Sequence, residues 1–246
     1  MKRRINAMVF LAAALVAGAG GCSRDGDSQP RPKDPSAASA WARPPQVEAA
    51  VRDGASIVVG GRAGPDARVV LRGADGSATA VAADSMGRFE MRLASGAGDT
   101  RLTPEVQVGE DSAASPETLV LIRNGGPIVL LAAGQPTRRL DGNGVLDAVD
   151  SDGAALILSG RKVGNPPQVL IGGARTAVTV GRGGLWRATA PVGGPALIEV
   201  DGVRFSFPGG APQSDFVPVR SGQGWRLTWP SGAGGRQTVW LPDRAP

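Results

Sequence analysis

Histidine and tyrosine are absent from the 246 residues, and cysteine occurs once, as Cys22. Without histidine there is no His-dependent catalytic triad and no usual zinc site, and a single cysteine makes no intramolecular disulfide. Catalysis would have to rest on carboxylates, hydroxyls, arginines or the few lysines, so the reading is that the chain is not an enzyme and carries no resident cofactor. Helix-friendly stretches are scarce as well. The 37 glycines and 20 prolines interrupt the chain too often for long helices and suit frequent turns between short strands.

Charge is nearly balanced. Removing Lys2, Arg3 and Arg4 with the leader described below takes the 27 bases to 24 against 22 acids, a net of +2. The sequence pI of about 10.5 reflects the scarcity of lysine and the lack of tyrosine, not a basic surface. The arginines are scattered singly and form no basic stripe, so no nucleic-acid partner is expected.

Residues 1–4 are basic and 5–18 are apolar, a length that suits a secretory signal and is short for a membrane span. The leader ends in Ala19-Gly20-Gly21-Cys22, which resembles the lipobox of bacterial lipoproteins. That resemblance implies a signal peptide over 1–21 and lipid on both the sulfur and the new amino group of Cys22. It also implies a stable membrane anchor, since several acyl chains hold better than one. Ser23, where an aspartate would retain the protein at the inner membrane, implies the outer membrane of a Gram-negative envelope. The plainer alternative is an ordinary secretory cut after residues 17–19 that leaves Cys22 an idle thiol. Residues 22–46 are rich in proline and poor in apolar residues apart from Trp41. They read as a disordered, extended tether, about 70 Å long at most at roughly 3.1 Å per residue.

One stretch occurs twice. Asp53-Gly54-Ala55-Ser56-Ile57-Val58-Val59-Gly60-Gly61-Arg62 returns ninety-nine positions later as Asp152-Gly153-Ala154-Ala155-Leu156-Ile157-Leu158-Ser159-Gly160-Arg161. Each copy is a turn, an apolar run and a closing Gly-Arg, and each is followed by a second match, Gly87-Arg88-Phe89 against Gly184-Leu185-Trp186. Self-similarity at a fixed spacing predicts a duplicated β-module. Strands are expected near 57–59, 68–72, 78–83, 89–93, 105–108 and 118–122. Phe89, Met91 and Leu93 alternate with Glu90 and Arg92, as in a sheet with one buried face. Residues 128–132 read as a closing or bridging strand.

The segments 61–71 and 82–89, with Gly61, Ala63, Pro65, Val69 and Leu71 and then Ala83-Asp84-Ser85-Met86-Gly87-Arg88-Phe89, resemble bacterial immunoglobulin-like and carboxypeptidase-regulatory-like modules. The resemblance implies an all-β fold of two tandem immunoglobulin-like β-sandwich modules, over 47–141 and 142–208. The remaining residues, 209–246, read as a C-terminal β-hairpin extension packing on the second module. Such modules are non-catalytic spacers or binders, which implies partners such as peptidoglycan, a glycan or another envelope protein.

Two groups could carry more than structure. Asp141, Asn143, Asp147 and Asp150 have the oxygen-ligand types of part of a calcium loop, without its closing glutamate, and capping of an inter-module turn is the favoured alternative. Asp147, Asp150 and Asp152 are the one plausible set for carboxylate-based glycan hydrolysis. In the tail, Trp225, Trp229 and Trp240 form either a glycan-stacking platform or, as the favoured reading, a buried face. The expectation is an envelope lipoprotein acting as a spacer or binding scaffold, with a calcium-stabilised adhesin-like module as alternative and a glycan-processing enzyme third.

Overall fold

A computed structural model describes residues 43–244 other than 110, 192, 212 and 233. The first half contains β1 (Gln46–Asp53), β2 (Ser56–Arg62), β3 (Arg68–Gly73), β4 (Ala78–Ala82) and β5 (Arg88–Ala94). It continues with β6 (Thr100–Val108), β7 (Asp111–Ala114), β8 (Glu117–Leu121), β9 (Ile128–Ala132) and β10 (Arg138–Arg139). The second half contains β11 (Ala148–Ser151), β12 (Ala155–Arg161), β13 (Val169–Ile171), β14 (Ala174–Thr176), β15 (Val178–Val180) and β16 (Leu185–Pro191). It ends with β17 (Ala196–Val200), β18 (Val203–Phe207), β19 (Val219–Arg220), β20 (Gly224–Gly232) and β21 (Gly235–Pro242). The fold is all-β, with a single 3₁₀ turn at Arg182–Gly184 and no α-helix among the described residues.

The strands form four antiparallel sheets. Sheet A is β1-β2-β5, and sheet B runs β10-β9-β8-β6-β3-β4, with β7 also on β6. Sheet C runs β15-β16-β12-β11-β21-β20-β19, and sheet D runs β14-β13-β17-β18. Three apolar cores lie between them. Ile57, Val59, Phe89 and Met91 of sheet A meet Val69, Leu71, Leu119 and Leu130 of sheet B. Leu156, Leu158, Trp186 and Trp240 of sheet C meet Val169, Ile198, Val200 and Phe207 of sheet D. The third core joins sheets B and C: Val120, Ile122, Val129 and Leu131 pack on Ala148, Trp225, Leu227, Trp229, Val239 and Leu241. The sheets therefore stack as A, B, C, D, and β8 and β9 are buried on both faces. That explains why they read as continuous apolar runs instead of alternating patterns.

The repeated stretch is a repeated hairpin. Asp53 and Gly54 turn β1 into β2, and Asp152 and Gly153 turn β11 into β12. In each copy the closing glycine pairs with an aromatic on the next strand, Gly61 with Phe89 and Gly160 with Trp186. A Cβ on Gly61 would lie 2.7 Å from the Phe89 ring, and one on Gly160 would lie 2.8 Å from the Trp186 indole. The second match has the same cause. Gly87 and Gly184 both have positive φ, at 75° and 73°, and a Cβ on either would strike a carbonyl oxygen, of Ala63 and Lys162 respectively. Ala63 and Lys162 in turn donate their amides to the Gly87 and Gly184 carbonyls at 2.8 Å in both copies.

The structure differs from the sequence reading in two places. β6 begins at Thr100, well before the expected 105, because Pro104 does not end it. On one side of β6 the ladder runs unbroken along β3, whereas on the other it passes from β8 (100–102) to β7 (105–108). Pro104 falls in that gap, where its carbonyl accepts from the Ser115 amide and no N–H is required. The short strands β7, β10, β14 and β15 were not expected. Residues 224–242 form a hairpin that extends the sheet of the second half: β21 pairs with β11, Val149 opposite Trp240, inside sheet C.

Candidate functional site

The densest run of oxygen ligands, 141–153, connects the two halves, and its carboxylates are each engaged separately. Arg139 is 3% exposed, and its guanidinium donates to both oxygens of Asp141, at 2.8 and 2.9 Å, while its third nitrogen donates to the Pro242 carbonyl. Asp147 accepts from Arg244 at 2.6 Å, and Arg161 lies 3.7 Å away without a hydrogen bond. Burial pushes the Asp147 pKa up, with Arg244, Arg161 and Arg139 pulling in the opposite direction. Arg244 also donates to the carbonyls of Leu146 and Gly142, so the C-terminal end straps the connector.

Asp150 is 1% exposed on the face of β11 that looks toward sheet B. The Thr137 amide donates to its Oδ2 at 3.0 Å and the Thr137 hydroxyl to its Oδ1 at 2.6 Å. Burial raises its pKa to about 7 against those two bonds and the field of Arg187. Asp152 caps its own turn, accepting from the amides of Ala154 and Ala155, which holds its carboxyl below the usual range.

Asp141, Asn143, Asp147 and Asp150, read from the sequence as calcium ligands, are thus not brought together. Asn143 is exposed, the three carboxylates are turned to Arg139, Arg244 and Thr137, and no cluster of three or more acids that could hold a metal occurs among the described residues. Of Asp147, Asp150 and Asp152, the last two line one small pocket of about 160 Å³ with Gln135 and Gln237, but Asp147 is outside it, turned to Arg244. Sequence spacing suggested convergence, but Asp141 and Asp147 lie in the connector before β11 and turn to arginines, and those that pair with Asp147 lie 14 and 97 positions away.

Trp225, Trp229 and Trp240 are core. Trp225 and Trp229 point into the B–C seam with Leu227, and Trp240, on the next strand, points the other way into the C–D core, where its indole donates to the Ser221 carbonyl at 2.9 Å. None presents a free ring face of the kind a sugar stacks on. Cys22 lies outside the described residues.

Polar contacts close the seam around its apolar centre. Gln237 is buried in β21; its side chain accepts from the Gly134 amide at 3.3 Å and donates to the Gln135 carbonyl at 2.8 Å. At the opposite rim the Arg101 guanidinium sits 4.4 Å over the ring of Phe216, whose φ of 55° is unusual for a bulky residue. Two open grooves meet at Arg62. One, of about 440 Å³, is lined by Gln46, Pro65, Val106 and Val108. The other, of about 410 Å³, is lined by Glu48, Gly60, Arg88 and Glu90. Both draw on the end of β2 around Arg62, the first with the following turn to Ala67 and the second with residues 88–90 of β5.

No protein-family model and no characterised protein sequence matches the chain.

Proposed function

We propose that the chain is a non-enzymatic lipoprotein of a Gram-negative envelope, anchored through Cys22 at the outer membrane. Its two immunoglobulin-like sandwiches, with the C-terminal strands, serve as a stiff spacer or binding scaffold toward cell-wall, glycan or protein partners. The observation that carries this reading is the apolar seam between sheets B and C, which makes one four-layered body out of two repeats. A domain contact built from Val, Leu and Trp on both sides favours a fixed geometry over hinged motion. The acids that might have served chemistry are occupied in that joint instead.

The test uses the full chain and Cys22→Ser in a Gram-negative host, with fatty-acid labelling, membrane fractionation and incubation of the purified protein with peptidoglycan. The reading requires labelled, membrane-bound wild type, unlabelled and released Cys22→Ser, and wall material left chemically intact. Labelling that survives Cys22→Ser, or release of soluble glycan fragments, would contradict it.

A further inference from the structure

Asp150 is the buried acid in the seam that has no cation as its partner. Arg139 and Arg244 hold Asp141 and Asp147, but no ion pair among the described residues includes Asp150. Its cross-strand neighbours are Ile157 on β12 and Val239 on β21, both apolar. From the first half of the chain Thr137 bonds to it, and the neutral Gly134 and Gln135 line the same small pocket. Arg187 on β16 acts on it through space, Gln237 on β21 is neutral, and Asp152 is exposed and bonded to its own turn. A carboxylate buried without a countercharge is costly, whereas a neutral carboxyl needs one donor and one acceptor. Thr137 offers both. The amide donates to Oδ2, and the hydroxyl, at 2.6 Å, can accept from a protonated Oδ1 as readily as it donates to an ionised one.

We propose that the seam between sheets B and C is fastened by a proton: it is closed while the Asp150 carboxyl is neutral and loosens when that carboxyl ionises. The joint crosses from the 133–137 loop of the first half to β11 of the second, so charging it acts where the two sandwiches meet. Direction follows from linkage. Asp150 holds its proton to about pH 7 in the folded chain but loses it near 3.8 when unfolded. Its contribution is therefore complete below the unfolded value and declines as pH rises between the two, remaining flat above. The seam is firmest in mild acid and opens around neutrality.

The test follows the mature chain from pH 5 to 8.5 by three measurements: the carbon resonance of the Asp150 carboxyl, hydrogen exchange at the Thr137 amide corrected for the intrinsic rate, and the thermal midpoint. The expected result is a carboxyl titration near 7, with Thr137 protection falling at least tenfold and the midpoint dropping by several degrees over the same range. In Asp150→Asn, whose side-chain amide matches the neutral acid's donor and acceptor, both changes should vanish. A carboxyl that titrates near 4, or a loss of Thr137 protection that persists in Asp150→Asn, would overturn the proposal. Should Asp150→Asn fail to fold, the wild-type chain still decides: titration near 7 with unchanged Thr137 protection would overturn it equally.

Discussion

The indole of Trp186 lies across the backbone of Gly160, its cross-strand partner, so closely that a Cβ there would come within 2.8 Å of the ring. Phe89 covers Gly61 in the same way in the first repeat. The aromatic of one strand fills the space that the glycine of the next leaves open.

Gly160→Ala and Gly61→Ala should each lower the unfolding free energy by about 1–3 kcal/mol, the usual cost of overpacking. Gly60→Ala is the control, because its nearest contact would be ordinary, 3.8 Å to the Phe89 carbonyl. Urea titration of the three variants checks this, with Gly60→Ala expected within about 0.5 kcal/mol of wild type.

That pairing also shows what the sequence carried openly. The Asp-Gly turns, the glycine before an arginine and the aromatic two residues after a glycine are local, so the repeat and its hairpins were legible. The apolar runs of β8 and β9 were legible as strands, though not as strands buried on both faces. The place of β21 was not, since Ala148–Ser151 carries no mark of a partner some ninety residues away. The same holds for the acids of the connector. Asp141 finds its arginine two positions earlier, but Asp147 finds Arg244 at the other end of the fold. An oxygen-rich spacing looks alike whether its carboxylates turn to a cation or to arginines contributed from elsewhere. Strands of two or three residues, such as β10 and β14, are too short to show any period.

Trp229→Ala should cost about 3–5 kcal/mol by emptying the seam, and Trp240→Ala a similar amount by emptying the C–D core. Chemical denaturation measures both. A Trp229→Ala protein that melts like wild type while losing retention on wall material would make that ring a binding platform.

Arg139→Ala should cost about 3–5 kcal/mol, because it leaves Asp141 with the Ile128 amide but no countercharge and takes the Arg139 donor from the Pro242 carbonyl. Arg139→Lys should recover little of this, as one ammonium cannot reproduce three directed N–H groups. Denaturation midpoints of the two variants check the order.

Calcium should leave the melting temperature unchanged. A cation bound only by the folded chain would raise the midpoint by mass action, but Asp141, Asp147 and Asp150 are held apart. Differential scanning fluorimetry in millimolar calcium against chelator checks this; a rise that Asp147→Ala abolishes would revive the calcium-stabilised reading.

The central claim is that the seam makes one cooperative body of the two repeats. Scanning calorimetry of the mature soluble chain at pH 5.5, where the Asp150 joint is closed, tests it most directly. A single transition whose calorimetric enthalpy equals the van't Hoff enthalpy is the predicted result. Two resolved transitions, or a calorimetric enthalpy near twice the van't Hoff value, would show two sandwiches unfolding independently and contradict it.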